Sequence, residues 1–495
     1  MPRDGNAYLD KIRGDGRDIR IFGQKVAEPL DHVAFTNTFA SYAAMYDFQC
    51  APDNLELMTA PSPDTGQRVN RAWSMPRSYD ELVERRRAIE AWCALHYGFM
   101  GRTPDHVASS LVGLNMGMKL FEEYDLKRAG ALADYFRFAR DNDLFITYTI
   151  INPQADKSKA AHEQVDEFLT MRVMDEDAQG ITVKGAKMLG TSSVMADEVW
   201  VSCIQPLQSG DEPYAVSCFV PMNAPGLRIL SRKSYEQTAH SRFDNPLSSV
   251  LDENDAVLYF DEVKIPWERV IVDRDIAMVR RQFDDTPCYV YEEYQAVIRL
   301  MVKLRFLTGI ARRITEVNGT TRIPAVGEIL GEVSSQAAMI DAFVHAAEAK
   351  GEHTSEGWFV PDLNMVCSAQ VIGQQLYPRL MTELRNLAGG GMIMLPAGIE
   401  DFTDEEQAGW IFKTQKSPAV EPFDRVKFFK LAWDAVGSEF GSRHTQYEMF
   451  YAGPTFVLRG HANHTYDWKR STDMVDRLLD SYSLEDELAK LQATK

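Results

Sequence analysis

Residues 145–159 read Phe145-Ile-Thr-Tyr148-Thr149-Ile150-Ile-Asn152-Pro153-Gln154-Ala-Asp156-Lys157-Ser-Lys159. The run opens apolar and β-branched, which predicts a strand. It breaks at Asn152-Pro153, because proline cannot donate to a ladder, and Gln154, Asp156 and Lys157 follow at once. A strand with such a mouth presents backbone, amide and charged groups to a flat polar ligand. Upstream, Gly101-Arg102-Thr103-Pro104-Asp105-His106 places a guanidinium and an imidazole four residues apart. Thr103, Pro104 and Asp105 fit the N-cap, N1 and N2 of a helix, since proline is pre-organised for N1. His106 then falls at N3, where the positive helix end disfavours imidazolium and keeps the ring neutral. A third run, Gly389-Gly390-Gly391, follows a helical pattern. It suits either an anion-binding nest or a helix C-cap. No G-x-G-x-x-G follows a strand and no G-x-x-x-x-G-K-[ST] occurs, so the usual dinucleotide and P-loop signatures are missing.

The elements that must position these residues fall into three blocks. With 495 residues the chain is too long for one ordinary core. Residues 1–143 read as mainly helical after a polar, glycine-punctuated start with a short strand at Ile19–Phe22. Ser78-Tyr-Asp-Glu81 has capping-box form and opens a segment to about Leu95. Residues 144–277 switch to period two, with short strands near 170–174, 181–183, 198–203, 214–220 and 257–260, which implies a closed or sandwiched sheet. Residues 278–495 return to period 3.6. Helices are predicted at 289–317, 325–350, 364–387 and 405–439, a four-helix bundle, followed by a mixed tail.

Composition narrows the partners. The net charge of −19 argues against nucleic acid and against anionic membranes. Six isolated cysteines show no C-x-x-C pair and no metal-ligand spacing, so reduced thiols and no metal site are expected. The first residues lack the apolar core of a signal peptide, and no apolar run reaches the about 18 residues of a membrane span. A cytoplasmic protein is the expectation.

The segment Tyr97-Gly-Phe-Met-Gly-Arg102-Thr103-Pro104-Asp105-His106 resembles the Gly-Arg-Ser/Thr-Pro-Asp-Tyr motif of the 4-hydroxyphenylacetate 3-monooxygenase family. The 145–159 run resembles that family's Asn-Pro-Gln segment. Further likenesses run in order along the chain, at Tyr8-Leu-Asp-Lys-Ile-Arg, Gly185-Ala-Lys-Met-Leu-Gly-Thr191, Gly389-Gly-Gly-Met-Ile-Met-Leu-Pro396 and Tyr447-Glu-Met-Phe-Tyr-Ala-Gly453. The resemblance implies an α+β, acyl-CoA dehydrogenase-like fold, with an N-terminal helical domain, a central β-barrel or sandwich and a C-terminal four-helix bundle. It also implies the oxygenase component of a two-component system. A separate NAD(P)H:flavin reductase supplies FADH2, which reacts with O2 to a C4a-hydroperoxide that hydroxylates a small, electron-rich aromatic substrate. Family members are usually homotetramers whose C-terminal segments reach a neighbour. Residues 461–495, with Met474, Val475, Leu478 and Leu479 on one helical face, fit such an arm.

Carried over by position, the family's substrate-binding arginine is Arg102. Its tyrosine position holds His106 and its histidine position holds Tyr148, so the two have traded places. Ring hydroxylation favours a phenolate, so on chemical grounds Arg102 is expected to stabilise that oxyanion, His106 to accept the phenolic proton and Tyr148 to donate to substrate or flavin. Flavin-binding positions carry over to Tyr148, Thr149, Ile150, Gln154, Asp156, Lys157 and Thr191, with the lysine standing where arginine is usual. Gly389, Gly390 and Gly391 are candidates for the pyrophosphate. Gly453, Pro454 and Thr455 align with a flavin contact that has lost its acidic residue. Ser202 and Cys203 fall near a substrate-contact position. Two rivals share the fold. A 4-hydroxybutyryl-CoA dehydratase needs three cysteines and a histidine on iron, and Tyr291 and Tyr294 stand near Cys288 where a histidine is wanted. An acyl-CoA dehydrogenase needs a carboxylate base, for which Glu292 or Glu383 are candidates without a supporting motif. A flavin-binding homologue without turnover is the third alternative.

Overall fold

The computed structural model describes residues 2–153 and 155–494. The N-terminal block carries helices α1 (Gly5–Ile12), α2 (Thr36–Cys50), α3 (Leu55–Met58), α4 (Tyr79–Leu95), α5 (Pro104–Met116), α6 (Met118–Tyr124) and α7 (Leu126–Asp141). Strands β1 (Asp18–Ile21) and β2 (Gln24–Lys25) interrupt them, as does a hairpin of β3 (Thr59–Pro61) and β4 (Arg68–Asn70). Ser78 caps α4 as the capping box requires, accepting from the Glu81 N–H. Glu81 reaches back one residue further than the motif, to the N–H of Arg77. Helix α5 begins at Pro104, and every residue from Pro104 to Leu114 is buried. At Gly113 an added Cβ would stand 2.4 Å from the backbone of Cys288, so a side chain there would push the two segments apart.

The central block builds two sheets. The larger has the order β2-β1-β10-β11-β7-β6 and the smaller β12-β9-β8-β5. Their strands are β5 (Ile146–Thr149), β6 (Arg172–Asp177), β7 (Gly180–Lys187), β8 (Glu198–Val201), β9 (Ser217–Pro221), β10 (Leu227–Ser231), β11 (Ala256–Pro266) and β12 (Val270–Val272). A short helix α8 (Tyr235–Thr238) lies between β10 and β11. Strand β10 is absent from the sequence-based reading; its alternation, Leu227, Ile229 and Ser231 inward, is only five residues long. Strand β1 comes from the first thirty residues yet pairs in parallel with β10, Ile19 opposite Ile229. Strand β5 is buried on both faces and pairs in parallel with β8, Tyr148 opposite Trp200. Apolar side chains of both sheets join one continuous core.

The C-terminal block opens with α9 (Ile276–Asp284) and the 31-residue α10 (Cys288–Asn318). Helices α11 (Pro324–Ala349) and α12 (Leu363–Ala388), linked by a hairpin of β13 (Glu352–His353) and β14 (Phe359–Val360), pack on α10 and on each other. The single helix expected at 405–439 is two, α13 (Glu405–Thr414) and α14 (Pro422–Val436). Pro418 and Pro422 explain the break, since proline lacks the N–H and bars its predecessor from the helical region. The tail expected to be mixed is helical: α15 (Glu439–Phe450), α16 (Thr455–Thr465), α17 (Trp468–Leu479) and α18 (Leu484–Ala493). Helices α15 and α16 close on α12, so the bundle is completed by the tail rather than by residues 405–439. The apolar face of α17 exists, and Met474, Val475, Leu478 and Leu479 are all exposed within the subunit. Among the described residues no helix is long and apolar enough to cross a membrane.

Candidate active site

Arg102, His106 and Tyr148 come together in the protein interior. Arg102 Nη2 donates to Tyr148 Oη at 2.6 Å, and its Nη1 lies 3.2 Å from His106 Nε2. The His106 and Tyr148 rings stack at 5.2 Å with an 11° interplanar angle. A fourth residue completes the group: the Arg102 guanidinium sits 4.5 Å from the Tyr148 ring and 4.2 Å from the ring of Tyr451, the C-cap of α15. Arg102, His106 and Tyr148 are buried to 8% exposure or less and Tyr451 is half-buried, so two aromatic rings flank a guanidinium kept from bulk water. Tyr451 lies in the Tyr447–Gly453 segment, and no local signal marks it as a site residue, because helix α15 brings it to Arg102 from the far end of the chain.

The backbone fixes this arrangement. Glu253 Oε2 accepts from the N–H groups of Gly101 and Arg102 at 2.7 and 2.9 Å. Arg443, from α15, holds that carboxylate at 2.7 Å and also Asp255 at 2.6 Å. Asp255 Oδ1 in turn accepts from Thr191 Oγ1 at 2.6 Å. One buried cation therefore ties the Thr191 turn to the Arg102 loop. Gly101 is required here: a Cβ would stand 2.0 Å from Tyr447 Oη.

Charge follows from burial and neighbours. His106 is held neutral, well below its ordinary pKa, first by burial and then by the charges of Arg102 and Arg299. The helix start, the cause expected from sequence, is not among these. An arginine only donates, so Nε2 is the acceptor and the proton sits on Nδ1, which is buried without a partner. The lone pair assigned to a phenolic proton is thus engaged by Arg102. Arg102 stays charged: burial opposes ionisation, and Tyr148, Tyr451, Tyr447 and Glu292 more than offset it. Glu292, on α10, is raised above the ordinary carboxylate range by burial, against the pull of Arg102, Ser110 and Tyr148.

The remaining candidates separate into groups. Thr149 is buried on β5 and donates to Met188, and Ile150 lies buried beyond the strand's end. Ser202 and Cys203 are neighbours of that end, where the Ser202 N–H bonds Thr149. Ser202 Oγ accepts from Gln282. Lys187 Nζ clamps the two exits, donating to Asn152 Oδ1 at 2.6 Å and to the Ser202 carbonyl at 2.7 Å. Asp156 and Lys157 are exposed, and Gln154 lies outside the described residues. Gly453, next to Tyr451, accepts from Gln374, and Pro454 and Thr455 open α16. Gly389 ends α12 with φ +56°, and Gly390 and Gly391 continue into a turn against α14. That turn does the work of a helix cap, and no contact among the described residues links it to Arg102. Glu383 sits at the surface beside Asn386.

Two family models span the chain. The 4-hydroxyphenylacetate 3-hydroxylase N-terminal model matches residues 4–272 and the C-terminal model residues 279–480. The chain belongs to the 4-hydroxyphenylacetate 3-hydroxylase family. Among its relatives, the 4-hydroxyphenylacetate 3-monooxygenase oxygenase component of Geobacillus sp. is 32% identical over 92% of both chains. The pyoverdin chromophore biosynthetic protein of Pseudomonas aeruginosa is 36% identical over 92% of this chain and 90% of its own. The crystal structure of the oxygenase component of 4-hydroxyphenylacetate 3-monooxygenase complexed with FAD and 4-hydroxyphenylacetate superposes with a TM-score of 0.92 at 28% identity, covering both chains fully. A 4-hydroxybutyryl-CoA dehydratase structure from N. maritimus shares the fold, at a TM-score of 0.88 and 19% identity over 97% of this chain and 95% of its own. The helical, β and helical-bundle architecture expected for a hydroxylase-family chain is therefore the one present.

Proposed function

We propose that this chain is the oxygenase component of a two-component, FAD-dependent monooxygenase. It hydroxylates an electron-rich phenol, and a separate NAD(P)H:flavin reductase supplies the reduced flavin. Family membership sets the class, and the observation that carries the reading is the buried Arg102 guanidinium held between Tyr148 and Tyr451. A permanent cation in a water-poor site is suited to a phenolate oxygen, the form of a phenol most readily attacked on its ring. Several relatives' names specify phenolic substrates, including a 4-nitrophenol 2-monooxygenase of Rhodococcus sp. and a monooxygenase of a carrier-protein-bound 3-chloro-4-hydroxyphenyl substrate of Streptomyces globisporus.

The donor set fits a flavin. The Thr191–Ser193 turn offers hydroxyls, and Ser193 Oγ is buried without a partner. Tyr148, Thr149 and Ile150 line the strand end, and Asp156 and Lys157 stand on the exposed loop beyond it. These suit a flat ring with an anionic tail, Lys157 meeting phosphate as a point charge. Gly453, Pro454 and Thr455 approach from α16. When bound, reduced FAD and O2 supply an electrophilic oxygen atom. This chain's residues position the ring, exclude water and hold the phenol oxygen on Arg102, while Ser202 and Cys203 stand beside them at the exit of the neighbouring strand β8. The assembly is proposed to be a homotetramer closed by α17 and α18. The test uses the purified full chain, anaerobically reduced FAD, isotopically labelled O2 and a panel of phenols. One labelled oxygen beside the phenolic hydroxyl is the expected product. Reoxidation at the free-solution rate with no labelled product would overturn the reading.

A further inference from the structure

The buried start of α10 runs beneath the Arg102 group, and one side chain there is left without a role. Glu292 Oε2 accepts from Ser110 Oγ at 3.0 Å, and its Oε1 lies 3.9 Å from His106 Nε2. The Tyr148 hydroxyl stands beside this carboxyl and favours its ionised form. His106 and Ser110 are four apart on α5 and so share the face that meets α10. Gly113, on the same face, lets the two helices approach.

The hydrogen-bond directions define a path. Arg102 donates to Tyr148 Oη, so the Tyr148 proton is free to point elsewhere, and Glu292 is the acceptor beside it. His106 offers no competing lone pair, since Nε2 faces Arg102. Every charged or titratable group facing Glu292 is identifiable. Arg102 and His106 lie at the α5 start, Tyr148 on β5 and Tyr451 at the α15 C-cap, while Cys288, Tyr289 and Glu293 share its own helix. Arg102 is the one fixed cation in that set. Glu293 bonds Gln370 and is raised by burial and by the Glu292 charge, so the neighbouring carboxyls resist ionising together.

We propose that Glu292 is the proton acceptor for the phenol, working through the Tyr148 hydroxyl. The proposal rests on the phenol-hydroxylase reading above. The substrate O–H bond breaks and its electron pair stays on the phenolate oxygen facing Arg102. Tyr148 Oη takes that proton as it gives its own to Glu292. A carboxyl raised above its ordinary range is the better-matched base near neutral pH. Activity then needs Glu292 ionised, so kcat/KM rises with pH through its raised pKa.

Two readouts test this on the full-length protein. Without flavin, 4-nitrophenol reports its own ionisation by absorbance. Wild type is expected to bind it as phenolate without net proton release, while Glu292→Gln shifts the bound ligand's ionisation to higher pH. With reduced FAD, Glu292→Gln is expected to lose about 10²-fold or more in kcat/KM and to lose the acid limb of the pH profile. Glu292→Asp is expected to restore part of that limb, and Tyr148→Phe to abolish it. His106→Gln is expected to keep the limb. An unchanged ionisation of bound 4-nitrophenol in Glu292→Gln, or a limb that vanishes with His106→Gln instead, would overturn the proposal. Absence of any ring hydroxylation would instead overturn the phenol-hydroxylase reading, and the flavin-free titration would still decide the role of Glu292.

Discussion

Arg102 works through a fork that reaches two partners, with the rings of Tyr148 and Tyr451 close to its guanidinium. Lysine keeps the charge and loses both the fork and the stacking. Arg102→Lys is therefore expected to lower kcat/KM about 10²-fold, measured with reductase-supplied FADH2. A residue outside the site gives a pH signature. Asp143 is pushed up to about 6 by burial, against Gln49 and Arg3, and it sits at φ +46°. A raised folded pKa means stabilisation that is complete below its ordinary value and lost as pH rises through about 6. Asp143→Asn removes that penalty and tolerates the left-handed backbone. It is expected to raise the thermal midpoint at pH 8, by up to about 3 kcal/mol of stability, and to leave it near wild type at pH 4. Arg102, His106 and Tyr148 were readable as a group only through the family resemblance that their two local motifs carry. The Glu292 carboxylate was visible in sequence but not its neighbours, which three different elements bring to it.

Helices α10 and α15 are joined by a buried charge cluster. Arg299 grips Glu448 with two bonds of 2.7 and 2.8 Å, and Lys303 adds a third at 2.8 Å. Burial would raise the Glu448 carboxyl, but Arg299 and then Lys303 hold it at about 2. Its contribution is therefore present above the ordinary carboxylate pKa and lost as pH falls toward 2. Glu448→Gln leaves two buried cations short of a counter-charge and is expected to cost about 3–5 kcal/mol in denaturant unfolding. The α4 and α5 starts were legible because Ser78 and Thr103-Pro104 are local signals. The 405–439 break was missed because apolar periodicity runs on through the prolines. The helical tail was misread because the breaks at Gly441 and Gly460 fall inside helices that packing on α12 sustains.

At the scale of the molecule, the exposed apolar face of α17 continues into α18, where Leu484, Leu488 and Leu491 are also bare. Contiguous apolar surface on a subunit marks an interface. Removal of residues 468–494 is expected to convert the proposed tetramer to smaller species by light scattering, and to leave the α10–α12 bundle folded by circular dichroism. Resemblance along the whole chain made the architecture legible, whereas the assembly is written only in a face whose partner lies on another subunit. Strand β1 carries a different consequence, one of time. It emerges early in synthesis, yet its parallel neighbour β10 follows only after the helical block and half the sheets. Helices close local contacts in microseconds, while such distant pairing must await a long loop closure. The six-stranded sheet is thus finished late, and refolding is expected to show helical ellipticity returning before the tryptophan fluorescence of the sheet region.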